Sequence, residues 1–219
     1  MNIQYYGDYC FKITTKPSGR ATEDVVIVTD VPEKATGLRA PQGEAHIMLL
    51  SHQSPDTPEL EVVKGGPVKI VVPGEYSAKG IAIIGFPSYR DEREGAERGQ
   101  NTIYLFETEE MTLCFLGALG AEPAPVVIEK LSGVDVLFVP ASGVDTMPVA
   151  KIDELVRKIE PKVVIPMHYK ITGMTTKLPE VKPFCDTLGN CPKETLSKWN
   201  VKAKDLEGKN MEVVLLDKN

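Results

Sequence analysis

The chain carries three histidines, and two of them follow directly on apolar runs. His52 comes after Ile47-Met48-Leu49-Leu50-Ser51, and Asp56 stands beyond it, past Gln53-Ser54-Pro55. His168 comes after Val163-Val164-Ile165-Pro166-Met167. A side chain at the exit of a buried strand is held by rigid scaffold, yet it reaches the sheet end where ligands bind. Imidazole nitrogen and carboxylate oxygen are zinc donors, and a catalytic zinc keeps one position open for water. His52, Asp56 and His168 are therefore candidate ligands of one metal, with Asp8 and Asp91 as further carboxylates. His46, at the start of its run, reads as a solvated or capping residue. Arg90 is a candidate anion-binding cation, and Lys170, just after His168, a candidate contact for a phosphate. No Ser–His–Asp or Cys–His arrangement is evident.

The elements that must position these groups can be read in order. Ile3–Tyr6 and Cys10–Thr14 form a hairpin through Gly7-Asp8. Val25–Asp30 is a β-branched buried strand and Ala45–Leu50 the next, ending at the His52 loop. A helical turn is expected at 58–64, a strand at Val68–Val72, a turn at Pro73–Tyr76 and a strand at Ile81–Phe86. Ser88–Asn101, rich in charge and glycine, reads as a solvated loop, with Asn101 as a turn-capping side chain. Thr102–Glu107 and Thr112–Leu116 make a hairpin around Glu109-Glu110. Strand and helix then alternate. Pro125–Leu131 is a helix, Asp135–Val139 a strand and Pro148–Glu160 the clearest helix, with Val149, Ile152, Leu155, Val156 and Ile159 on one stripe and Asp145-Thr146 as caps. Val163–Ile165 is a strand, Val181–Leu188 a helix and Met211–Leu216 a closing strand. Hairpins first and strand–helix alternation later predict one α/β domain over residues 1–219 with two sheets or one large mixed sheet.

The bulk numbers set limits. At 219 residues and 42% hydrophobic content the chain can bury one sizeable core, and with only 6% aromatic residues Val, Ile and Leu must fill it. A net charge of -6 argues against non-specific nucleic-acid binding. No apolar run approaches the ~20 residues of a membrane span, and the first residues lack a leader pattern, so a cytoplasmic protein is expected. Of four cysteines, Cys10 and Cys114 read as core thiols, while Cys185 and Cys191 are close enough in sequence to pair.

Several segments, in order along nearly the whole chain, resemble the metallo-β-lactamase superfamily, in particular its ascorbate-phosphate-lactonase-like branch. They are Gly7-Asp8-Tyr9-Cys10-Phe11, Ser51-His52 with the following Asp56, Pro73-Gly74-Glu75-Tyr76, Arg98-Gly99-Gln100-Asn101-Thr102, Leu116-Gly117-Ala118-Leu119-Gly120 and Ile165-Pro166-Met167-His168-Tyr169-Lys170. The resemblance implies a four-layer αββα sandwich with metal loops at one edge of two mixed sheets. It implies a first metal at the places of His52, Ser54 and Arg90, a second at Asp56, Thr57 and His168, and a bridging aspartate where Ala118 stands. Asp8 and Ala121 occupy places where this branch often has histidine. The remnant ligands are His52, Asp56 and His168.

Losing even an outer partner of a metal ligand costs ~10–100-fold in affinity, so Ser54, Thr57, Arg90 and Ala118 together should abolish a di-metal centre. Arg90 also sets a permanent positive charge where a cation would sit. The expectation is a degenerate, non-catalytic protein with no metal cofactor, acting as a binding or assembly protein. Its partner would be a small anionic ligand or another protein. The alternative is a hydrolase with one Zn or Mn on His52, Asp56 and His168, acting on phosphorylated lactones or phosphodiesters. The resemblance also implies a homo-oligomer.

Overall fold

The computed structural model describes residues 1–17, 23–53, 63–189 and 192–219. Most of the helical turn expected at 58–64 lies outside these, as do Ser54, Asp56, Thr57 and Cys191.

Two mixed sheets form the molecule. The six-stranded sheet has the order β12-β1-β2-β3-β4-β5, and the seven-stranded sheet β13-β11-β10-β9-β8-β7-β6. The first is built from β1 (Asn2–Gly7), β2 (Cys10–Thr15), β3 (Val25–Thr29), β4 (Ile47–Leu49), β5 (Val68–Ile70) and β12 (Trp199–Asn200). The second takes β6 (Gly74–Ala78), β7 (Ile81–Tyr89), β8 (Gln100–Thr108), β9 (Met111–Phe115), β10 (Val136–Pro140), β11 (Val163–Met167) and β13 (Glu212–Val213). α1 (Pro125–Leu131) and α2 (Val149–Ile159) connect the parallel pairs β9–β10 and β10–β11. The two helices contact each other, as expected where right-handed crossovers place both on one face of a sheet. α3 (Lys182–Leu188) packs against α2. The architecture is the α/β sandwich the sequence implied.

β10 and β11 are buried at every position, which explains their unbroken apolar runs. The sheets meet face to face: the Phe11 and Phe138 rings lie 4.7 Å apart, and the Tyr104 hydroxyl donates across the sandwich towards the carbonyls of Leu50 and Ile70. A second apolar cluster, with Cys10, Val28, Met48 and Leu50, lies on the other face of the first sheet beneath Val31, Ala45 and Val63.

Several elements differ from the sequence reading. Pro73–Tyr76 is not a turn, because Gly74 to Ala78 pair antiparallel with Gly85 to Ile81. The turn is Lys79-Gly80, both residues at positive φ (51° and 78°), which suits a two-residue hairpin. β7 and β8 run on through Ser88 and Asn101, so the loop between them is shorter than its composition suggests. Asp145 and Thr146 do not cap α2; its N-cap is Pro148, with no side-chain capping bond. The final strand is shorter than expected, Glu212 and Val213 pairing with Val163 and Val164 of β11. His46 is not solvated at random, for its Nδ1 accepts the Val26 N–H at 3.0 Å. Asn101 is fully inside, its Nδ2 donating to Ser88 Oγ and to the Leu116 carbonyl.

Candidate functional site

The ends of β3 and β4 bring three polar side chains together. Asp30 follows β3, and Ser51-His52 follow β4, its parallel neighbour. Ser51 donates its N–H to Asp30 Oδ1 (2.7 Å) and its hydroxyl to Asp30 Oδ2, while the same hydroxyl oxygen lies 2.9 Å from His52 Nδ1. Burial pushes the Asp30 carboxyl up to about 7 despite the two bonds from Ser51. Burial, followed by the nearby charges of Arg90 and His168, pushes His52 down to about 3, so its ring is neutral. With Asp30 ionised, both Ser51 donors point at it, so Ser51 Oγ accepts from His52 Nδ1–H. Nε2 of His52 is then left with its lone pair.

His168 stands at the exit of β11 with φ at +54°, the left-handed region that β-branched or bulky side chains rarely adopt. Its N–H donates to the carbonyl of Asp8 (2.8 Å), a residue of the β1–β2 turn. Its Nδ1 lies 2.6 Å from Asp8 Oδ1 and its Nε2 3.2 Å from the Val144 carbonyl. A carbonyl only accepts, so Nε2 carries a hydrogen. Whichever atom of the Asp8–His168 pair holds the other proton, neither ring nitrogen has a lone pair directed at a third group. Tyr9, 5% exposed, joins the two histidines. Its ring stacks on His168 at 4.3 Å, with the planes 11° apart, and meets His52 edge to face at 5.5 Å.

Arg90 closes the cluster. Its charge acts on Tyr9, Asp30 and His52. Nη1 donates to the Arg98 carbonyl, whereas Nε is buried without a hydrogen-bond partner. Asp91 is spent on its own loop: its carboxylate accepts the N–H groups of Arg93, Gly95, Glu97 and Arg98. Desolvation works against its charge, but these four donors outweigh it and hold the carboxyl below the usual range. Beneath Arg90 runs Gly117-Ala118-Leu119-Gly120. Ala118 is fully buried and offers only a methyl group. Lys170 does not join the cluster. It pairs with Glu180 at 2.8 Å and lines a groove of about 660 Å³ with Tyr169, Leu216 and Asp217.

With Asp30 ionised, His52 thus meets the requirements of a metal ligand, with Nδ1 anchored and Nε2 bare. His168, Arg90 and Ala118 do not. Among the described residues no group of three or more His, Cys, Asp or Glu side chains is placed to hold a metal ion. The donor set among the described residues does not fit a di-metal centre.

A family model for the β-lactamase superfamily domain matches residues 2–168. The chain belongs to the metallo-β-lactamase superfamily. A Thermotoga maritima protein put forward as a Zn-dependent hydrolase of this superfamily is 26% identical over 99% of this chain and 98% of its own, with a TM-score of 0.74. A metallo hydrolase of the archaeon Ignicoccus hospitalis shares the fold at 17% identity, over 100% and 95% of the two chains, with a TM-score of 0.65. So does CmlA, a diiron β-hydroxylase of Streptomyces venezuelae, at 12% identity over 99% and 53%, with a TM-score of 0.62. No curated protein matches the chain.

Within this superfamily frame, the sequence reading placed His52 and His168 at one site, and the structure brings them onto one tyrosine ring. It missed Tyr9, Asp30 and Ser51. Two signals were available: Asp30 ends a β-branched run, and Ser51 immediately precedes His52.

Proposed function

We propose that this chain is a non-catalytic member of the superfamily, in which a closed polar cluster stands where its relatives hold metal, and that it acts by binding. The observation that carries the reading is the Tyr9 ring packed on both histidines while both nitrogens of His168 are committed to Asp8 and Val144. The partner is a small anionic ligand or another protein. The anion is favoured by Arg90, whose buried Nε has no partner and whose charge is not answered by a carboxylate contact among the described residues. The buried free thiols Cys10 and Cys114 suit a reducing, cytoplasmic setting. No helix among the described residues is long and apolar enough to cross a membrane.

The test is metal content. The untagged protein is dialysed against excess zinc or manganese, and bound metal per chain is read by elemental mass spectrometry. Near-zero metal is the expected result. In parallel, inorganic phosphate and citrate are screened by thermal shift on the wild type and on Arg90→Ala; a shift seen only in the wild type supports the anion. A homo-oligomer belongs to the same proposal and is read by light scattering.

A second reading is favoured by His52. Its Nδ1 is anchored through Ser51 to Asp30, the arrangement that orients a ligating histidine, and the Thermotoga relative is put forward as a Zn-dependent hydrolase. On this reading His52, Asp56 and His168 hold one Zn or Mn, and the substrates are phosphorylated lactones or phosphodiesters. One tightly held metal per chain, lost in His52→Ala and in His168→Ala, would replace the first reading with this one.

A further inference from the structure

The outer face of the seven-stranded sheet is covered along only part of its width. Phe138 points inward onto Phe11, so its neighbour Leu137 points outward. Strand pairing carries that outward row across the sheet through Val164, Leu137, Cys114, Leu105, Ile84 and Glu75. Val164, Leu137 and Cys114 are 0% exposed, and the buried stripes of α1 and α2 join the core at that end. Further along the row the cover thins: Leu105 is half-buried, Ile84 is 36% exposed and Glu75 is open to solvent. Ala82 and Phe86 flank Ile84 on the same side of β7, and Glu107 of β8 stands opposite Ala82. The apolar stripe of Ala82, Ile84 and Phe86 thus runs between two acids, Glu75 on one side and Glu107 on the other. Neither carboxylate has a hydrogen-bond or ion-pair partner among the described residues, and none of these paired rows contains a Lys, Arg or His.

We propose that this bare face is a docking surface for a basic amphipathic helix of another protein, which lays its apolar stripe along β7 and its Lys or Arg side chains towards Glu75 and Glu107. Exposed apolar surface rimmed by polar residues is a mark of a protein contact. The sign of the rim selects the occupant. A second copy of this chain seated face to face would set acid against acid, in a chain whose net charge is already -6. An anionic lipid surface attracts basic faces, so these acids disfavour it too. At ~3.3 Å per residue the stripe from Ala82 to Phe86 is about 13 Å long, which two helical turns of ~5.4 Å nearly match. A contact of that length falls short of the ~1,000 Å² of stable complexes, so the docking is transient. The inference does not depend on the metal-free reading, since none of these residues belongs to the His52–His168 cluster.

The experiment uses the full chain and a labelled peptide of about 18 residues, long enough to become helical on contact, with leucine at helical spacing and lysine on both flanks. Fluorescence anisotropy is expected to give a Kd of about 10–100 µM that weakens with added salt. Ile84→Lys is expected to weaken binding at least ~10-fold, and Glu75→Gln with Glu107→Gln about 2–5-fold. Leu196→Lys, at an exposed apolar residue beside β13 on the opposite edge of the sheet, is expected to leave it unchanged. The double glutamine variant alters only exposed side chains and carries the test if Ile84→Lys does not fold. Absence of binding overturns the proposal. So does binding that the Ile84 and glutamine variants leave intact, that Leu196→Lys weakens equally, or that a peptide with glutamate in place of lysine matches. A wild-type dimer in light scattering that Ile84→Lys dissolves would seat a second copy on this face and overturn it as well.

Discussion

The hydroxyl of Ser51 joins a buried acid to a buried base, and the two respond to pH in opposite senses. Asp30, raised from 3.8 to about 7, holds its proton more tightly in the native state than in the unfolded chain. Its contribution to stability is therefore present at low pH and falls as pH rises from about 4 towards 7. His52, lowered from 6.5 to about 3, sheds its proton in the native state, so its contribution rises over the window from about 3 to 6.5. In the wild type the two slopes oppose each other across nearly the same range. Asp30→Asn should leave stability that climbs with pH between about 3 and 6.5, and His52→Gln stability that falls between about 4 and 7. Urea melts at half-unit pH steps read both slopes, and two flat profiles would refute the assignment. Ser51→Ala, which leaves Asp30 and His52 Nδ1 without their shared partner, should cost about 1–3 kcal/mol at neutral pH. At this scale the sequence was legible for chemistry and silent about partners. His52 and His168 announced themselves by type and position. Tyr9 looked like any core aromatic, and the Asp8–His168 pair joins residues 160 positions apart, a distance no local pattern reports.

Elements show why Arg90 is where it is. The loop after β7 looked solvated because of its charges, yet its first carboxylate is buried, 3% exposed, and ties four of the loop's own N–H groups. Asp91→Ala should free this loop without unfolding the sheets. Limited trypsin digestion should then cut at Arg93 and Arg98 well before it cuts the wild type, with little change in melting temperature. The other wall is less forgiving. A Cβ at Gly120 would stand 1.9 Å from the Arg90 carbonyl oxygen, a backbone atom that cannot rotate away. Gly120→Ala should therefore cost several kcal/mol, about the range of the most damaging single substitutions, or expel the Arg90 segment from the cluster. Fully buried strands and the amphipathic α2 were readable because their periods are strong. β6 was not, since a short edge strand that opens on Pro73-Gly74 carries turn chemistry in its composition and strand pairing only in its contacts.

The two sheets are tied together at the site. Phe11 on Phe138 and Tyr104 on the carbonyls of Leu50 and Ile70 join them through the core, and Asp8–His168 joins the β1–β2 turn of one sheet to the end of β11 in the other. Because both side chains of that pair are about nine-tenths buried, a double-mutant cycle should return a coupling of about 1.5–3 kcal/mol, as for hydrogen bonds to charged groups. The exposed Lys182–Asp186 pair on α3 should return only about 0.3–0.5 kcal/mol in the same experiment. Equal couplings would mean that the cluster adds nothing to the joint between the sheets. The sandwich as a whole was legible because hairpins preceded strand–helix alternation, and because motifs spread along the chain matched one family in order.

Ala118 gives this arrangement a direction in time. Its methyl lies fully buried in a segment where Gly117 and Gly120 press on Ser51 and on the Arg90 backbone. On the metal-free reading proposed above, an aspartate introduced there alone would bury a charge with no metal to receive it, at a cost of several kcal/mol out of the ~5–15 that hold a domain folded. On the same reading, histidine at position 90 alone would take the cluster's cation from beside Asp30 and His52 and supply no ion in exchange. Each single substitution towards the family's metal ligands would, on that reading, pass through a weaker protein, and only several made together would be tolerated. So read, the packing around Ala118 would act as a ratchet, resisting the family's metal ligands when they return one at a time.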